Sequence, residues 1–160
     1  MNVDKAILAS VLAALSLAAC TQENDRNGSE GQKASTPTTP EHRLAPLSEN
    51  DMRNASLQGE LGCSFTTNSE SVLLIAMGVV ASSDPAKGLI KLDNELHPVS
   101  APGGFDGMLR GATFEGDGNA VQVSITGEPQ GSGESPPYPA ELMVVGSDQP
   151  TINGLWTCGP

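Results

Sequence analysis

Few side chains in this chain have the type and spacing that catalysis requires. The only imidazoles are His42 and His97. His42 sits in a polar stretch with nothing to position it as a base. His97 precedes Pro98 and reads as a surface histidine at a strand end. A covalent mechanism needs a nucleophile, a base within hydrogen-bond reach and an orienting group. No G-x-S-x-G elbow occurs, and Ser83 and Lys87 stand one residue too far apart for an S-x-x-K pair. Carboxylates are plentiful, and Asp106 and Glu134, each in a loop, are the two that could flank a glycosidic bond. A sugar cleft also wants aromatic platforms, yet the chain has one Trp, one Tyr and three Phe. An Asx-type turn accounts for Asp106 more simply. We therefore assign no catalytic residue.

Metal and anion chemistry is equally thin. Glu115-Gly116-Asp117-Gly118-Asn119 has part of a calcium loop but lacks the full D-x-[DN]-x-[DN]-G spacing and the distal Glu. A hairpin turn explains the same residues. Gly103-Gly104 could offer backbone N–H groups to an anion, with Arg110 the only base nearby. No metal site and no cofactor are assigned. The glycine-rich loop itself remains, with Phe105, Asp106 and Arg110 as a candidate interaction loop. Its apolar residues Phe105, Met108 and Leu109 either face a partner or fold back as the loop's own plug.

These loops need a scaffold. Gly and Pro punctuate the chain every eight to twelve residues or so, the spacing of short strands. Period-two alternation gives one-faced strands at Leu61, Cys63 and Phe65, at Ile90 and Leu92, and at Ala112 and Phe114. The same pattern recurs at Val121, Val123 and Ile125, and at Ile152, Gly154, Trp156 and Cys158. Residues 71–80 and 141–145 are apolar on both faces. They are strands covered on both sides or, for the first, a buried helix; Gly78 and Val79-Val80 favour strand. Asp117-Gly118 reads as a tight hairpin, and Ser83-Asp84-Pro85 as a turn. A short helix is expected after Ser48, which would cap it, with Asp51 three residues on and Leu47 placed to staple onto Met52. The expectation is an all-β domain: a small antiparallel barrel or sandwich of seven to eight strands.

The N-terminus carries a different kind of signal. Lys5 precedes an apolar run from Ala6 to Leu17, and Leu17-Ala18-Ala19-Cys20 closes it. This segment resembles the signal peptide and lipobox of a bacterial lipoprotein. The resemblance implies cleavage before Cys20, with acyl chains on the cysteine sulfur and on its new amino group. It also implies attachment to a membrane through the buried chains. In that family an Asp after the cysteine retains the protein in the inner membrane. Thr21 stands there instead, which implies the outer membrane, facing the periplasm. The expected organisation is a signal peptide at 1–19, a lipidated Cys20 with a polar tether to residue 54, and one β domain at 55–160. Assigning Cys20 to lipid leaves Cys63 and Cys158. In an oxidising compartment they form a disulfide that ties the ends of the sheet; two free thiols or a metal pair are the alternatives. Two cysteines with no histidine close by make a poor zinc site.

The chain has 19 acidic and 8 basic residues, a formal charge of −11. Such a surface repels nucleic acid and anionic headgroups and suits a basic protein partner. The layout is similar to that of the membrane-bound C-type lysozyme inhibitors, small lipoproteins with an acidic β-barrel and a disulfide near its ends. Their serine-bearing loop and Trp-Trp-Lys segment have no counterpart in Gly154-Leu155-Trp156-Thr157-Cys158-Gly159, so the activity is not carried over. The first expectation is a non-enzymatic envelope module that binds a partner. A small carboxylate hydrolase and a structural assembly accessory are the alternatives.

Overall fold

A computed structural model describes residues 42–160. The signal peptide, Cys20 and the tether up to residue 41 lie outside the described residues. Eight antiparallel strands follow in sequence order: β1 (Leu61–Thr67), β2 (Val72–Gly78), β3 (Ala86–Leu92), β4 (Glu95–Ala101), β5 (Thr113–Gly116), β6 (Asn119–Ile125), β7 (Tyr138–Val144) and β8 (Ile152–Gly159). Each pairs with the next, and β8 pairs back with β1, so the meander closes into a barrel rather than a sandwich. Tight hairpins join β3 to β4 and β5 to β6. Asp93-Asn94 and Asp117-Gly118 both hold φ between 49° and 77° at their two central positions. That is the turn whose twist matches antiparallel strands, and Asn, Asp and Gly tolerate it best.

Closure rests on the β1–β8 ladder. Cys63 stands directly opposite Cys158 in its register, with Cα atoms 4.0 Å apart, and the two form a disulfide. Inward positions alternate along every strand as the pattern required. Phe65, Leu74, Ile90, Phe114, Val121, Leu142 and Trp156 are wholly buried, and no polar or charged side chain is buried among the described residues. The interior is graded in size. Toward the end where β2 stops and β3 starts, the inward residues are small: Ala76, Gly78, Ala86, Gly88 and Ala101. The space they leave is taken by the loop after β4.

The run at 71–80 is a strand only over Val72–Gly78, covered on its outer face at Leu73, while Val79 and Val80 lie beyond it and are exposed. Leu73 and Leu89 point outward beside inward Leu74 and Ile90, yet are only 4% and 7% exposed. The N-terminal segment is bonded along these strands, and its attachment moves the start of the packed domain. The sequence pattern ended the tether at residue 54. In the structure Asp93 N–H donates to Arg43, Ala45 N–H to Lys91 and Leu47 N–H to Val72, all at backbone carbonyls. Leu44 and Leu47 are buried. Two leucines in a polar window were too few to register in composition, but each lands in a prepared hollow. The helix expected after Ser48 follows as α1 (Glu49–Asn54), with a complete capping box between Ser48 and Asp51.

Two further strands depart from expectation. β7 is not covered outside: Met143 and Val145 beside it are 37% and 47% exposed. β4 was missed because Pro98 and His97 argue against a strand interior. Pro98 pairs with Leu89, a residue whose neighbour Lys91 turns its carbonyl toward the N-terminal segment. By the alternation of the ladder, the nitrogen of Pro98 faces β5. Pairing there is reduced to Ser100 with Glu115, so the absent N–H costs no β3–β4 bond.

Lys91 on β3 holds Asp51 of α1 at 2.8 Å, both largely shielded from solvent. That ammonium, with the Ser48 backbone N–H, holds the Asp51 carboxyl down at about 2 from its ordinary 3.8. A depressed folded pKa adds stability above the unfolded value and loses it as the carboxylate protonates. Asp51→Asn is therefore expected to melt below the parent at pH 7, with the two melting curves converging as pH falls from about 4 to 2. Parallel melting temperatures across that window would refute the assignment. The disulfide spans 95 residues of sequence. Replacing both cysteines by Ser should lower the unfolding free energy by up to about 4–5 kcal/mol in denaturant titrations, with the β1–β8 ladder otherwise intact.

Candidate interaction surface

The loop between β4 and β5 folds back into the barrel mouth. Pro102 to Gly107 bring in a single 3-10 turn, Asp106–Met108. Gly103 and Gly104 sit at φ of 84° and 56°, which side chains rarely adopt. Gly104 lies against the carbonyls of Val79 and Ser82, where a Cβ would collide. Gly78 likewise has no room for a Cβ because the backbone at Phe105 passes over it. Phe105 N–H donates to the Val79 carbonyl at 3.1 Å, locking this loop to the one between β2 and β3.

Phe105 and Met108 both turn inward, at 7% and 0% exposure. The alternative that these residues plug their own loop is the one realised. Phe105 is therefore withdrawn from the candidate interaction loop. Trp156 explains why the plug holds. Its indole N–H donates to the Met108 carbonyl at 2.8 Å, a buried bond between residues 48 apart. The Phe114 ring meets the indole edge to face at 6.1 Å. Cys158 also lies against the Met108 carbonyl, at 4.0 Å, so indole, disulfide and plug share one contact. The sequence put Trp156 and Cys158 on one strand face but gave no sign that a backbone carbonyl from another loop would receive the indole.

Asp106 and Arg110 are exposed. Asp106 makes no Asx turn of its own. Its carboxylate accepts the Ala81 N–H at 2.8 Å across the loops, holding Ala81 at a left-handed φ of 54°. Glu60 does the same for the neighbouring residue, accepting the Val80 N–H at 3.1 Å. Two carboxylates thus fix one turn, and that turn pushes Val79 and Val80 outward at 41% and 42% exposure. Leu109, 41% exposed, follows Asp106 and Met108 on the adjoining loop. The mouth exposes Val79, Val80 and Leu109; Glu60 and Asp106 bond the turn at Val80 and Ala81, Asp84 and Lys87 share a hollow with Val79, and Arg110 follows Leu109. The sequence reading passed over Val79-Val80, having counted them as interior to a strand.

Other candidates are dispersed. Glu134 is exposed in the loop joining β6 to β7, and neither the larger groove nor the smaller hollow beside Gln58 and Lys87 is lined by it or by Asp106. His42 pairs with Asp93 at 3.3 Å, and His97 faces Asn119 at 3.4 Å within the barrel wall. No group of three or more potential metal ligands occurs among the described residues. Cys20 lies outside the described residues. No family model matches the chain, and no curated protein or solved structure matches it.

Met108→Ala removes a wholly buried side chain from the plug and should cost about 2–5 kcal/mol in urea unfolding. Amide exchange should accelerate at Gly107 and Gly111, whose N–H groups bond within the loop, while the α1 amides stay protected. Uniform acceleration across the domain would mean that the plug is not a separate unit.

Proposed function

We propose that this chain is a bacterial envelope lipoprotein, anchored through Cys20 and acting as a non-enzymatic binding module for a basic protein partner. The observation that carries the binding reading is the tip at the barrel mouth. Val79 and Val80 are exposed on a turn that two carboxylates hold in place, and Leu109 is exposed on the loop bonded to that turn. Contact surfaces commonly combine an apolar centre with a charged rim, and the rim charge sets partner choice and encounter rate. The described residues hold 14 acidic side chains against 5 basic ones, which favours a cationic partner and disfavours nucleic acid. The anchor rests on the Leu17-Ala18-Ala19-Cys20 motif, and the outer membrane on Thr21 after it. On this reading the tether lets the domain meet its partner away from the bilayer.

The hydrolase alternative draws nothing from this surface. Asp106 is engaged with a backbone N–H, and Glu134 lines neither hollow. An assembly accessory shares the apolar tip as its support, though the closed barrel offers no open strand edge.

The test is a pull-down from envelope extract with the chain from residue 42 onward, run beside a Val80→Ser/Asp84→Lys double variant. Wild type should retain one basic protein in stoichiometric amount, and the variant should lose it, with binding weakening as salt rises. Equal capture by both, or turnover of envelope polymers with no protein retained, would overturn the reading. In the same cells Cys20→Ala should move the protein from the membrane to the soluble fraction.

A further inference from the structure

A groove of about 510 Å³ runs along the outside of the barrel, lined by none of the exposed tip residues. Its floor is the outer face of the β1–β8 seam. There the side chains are unusually short: Gly62 and Ser64 on β1, Thr157 and Gly159 on β8. One wall is apolar, made by Ile75 and Met77 of β2 with Met52 and Leu57 of the N-terminal segment. Ser135, from the loop between β6 and β7, reaches over Gly159 and closes the far side. The volume lies within the roughly 300–1,000 Å³ of small-molecule sites.

The groove lacks the acidic side chains that dominate the rest of the domain. Among the described residues lining it there is no Asp or Glu, and its ionic groups are the Arg53 guanidinium at the end of α1 and the terminal carboxylate of Pro160. Arg53 meets Glu49 at 3.1 Å, but both are largely solvent-exposed, so this i,i+4 pair is weak and readily exchanged for another anion. The chemistry of the floor also selects against a peptide. β1 and β8 are each paired on both sides in the closed barrel, so no free backbone edge is present to bond an added strand. Only the hydroxyls of Ser56, Ser64, Ser135 and Thr157 are on offer, too few for the polar groups of a peptide main chain. A hydrocarbon chain has no such groups to satisfy, and the thioethers of Met52 and Met77 adapt to its shape.

We propose that this groove binds a single-chain anionic amphiphile, its acyl chain along Gly62, Ser64 and Thr157 and its anionic head at Arg53. The inference stands apart from the partner reading, which uses the other loops.

The test uses the chain from residue 42 with dodecanoate, lauroyl lysophosphatidylglycerol and dodecyltrimethylammonium, all below their micelle concentrations, followed by titration calorimetry. One or both anionic probes should bind at one site, and the cation with the same chain should bind more weakly. Preference for dodecanoate indicates a free fatty acid; preference for the lysolipid indicates a membrane-derived ligand. Thr157→Trp, which fills the floor from outside the core, should lower affinity at least tenfold with the melting temperature kept. Arg53→Gln, on an exposed helix end, should weaken the anions by about two- to fivefold and tighten the cation, narrowing the gap between them. No binding by either anion, tighter binding of the cation, or anion binding indifferent to both substitutions would overturn the proposal.

Discussion

Closing the sheet at β1–β8 is the constraint on which the other features depend. With that ladder formed, every strand has two neighbours and the interior becomes a bounded volume that side chains must fill. The disulfide joins the two strands at a directly opposed pair, so it reinforces the register that closure already demands. An open sheet of the same strands would expose two edges. It would also lose the shared contact of Trp156, Cys158 and Met108, since that carbonyl reaches both partners only when β8 is in place.

Closure in turn sets the role of the glycine-rich loop. The inward side chains of β2, β3 and β4 shrink toward the mouth, and a barrel graded in this way needs a separate filler. Phe105 and Met108 supply it. The cost is a strained turn at Ala81, and the carboxylates of Glu60 and Asp106 offset it by bonding the two N–H groups that this turn would leave unpaired. The acidity that raises solubility on most of the surface serves here as local backbone support.

Much of this architecture was written in the alternation of apolar residues. Val121, Val123 and Ile125, and Trp156 with Cys158, declared their inward faces because a strand's side-chain period is two. The capping box at Ser48 and Asp51 and the hairpin at Asp117-Gly118 were legible because their geometry is local. What escaped depends on distant contacts. Pro98 forbids a central strand unless the neighbouring ladder is nearly absent on its nitrogen side, and only the pairing with β5 reveals that. Leu44 and Leu47 lie in a polar stretch whose composition reads as tether until β2 and β3 provide the hollows. The candidate loop was found in sequence, but its direction was not: Phe105 turns inward because Gly78 lets backbone pass at close range. The exposed tip at Val79 and Val80 left no signal of its own, since two valines after a strand look like more strand.

The N-terminal segment also fixes how the domain bears load. Tension arriving from residues before His42 first meets the bonds of Arg43, Ala45 and Leu47, none of which is covalent to the barrel wall. These open in series, followed by α1 and the turn into β1, and the peeling stops at Cys63, where the disulfide passes force directly to β8. Roughly twenty residues would unreel before that stop, close to 70 Å at about 3.5 Å per extended residue. The barrel wall from Cys63 onward would remain, while the mouth turn would lose the Glu60 carboxylate that bonds the Val80 N–H. The segment is thus a retractable leash with a covalent stop at Cys63.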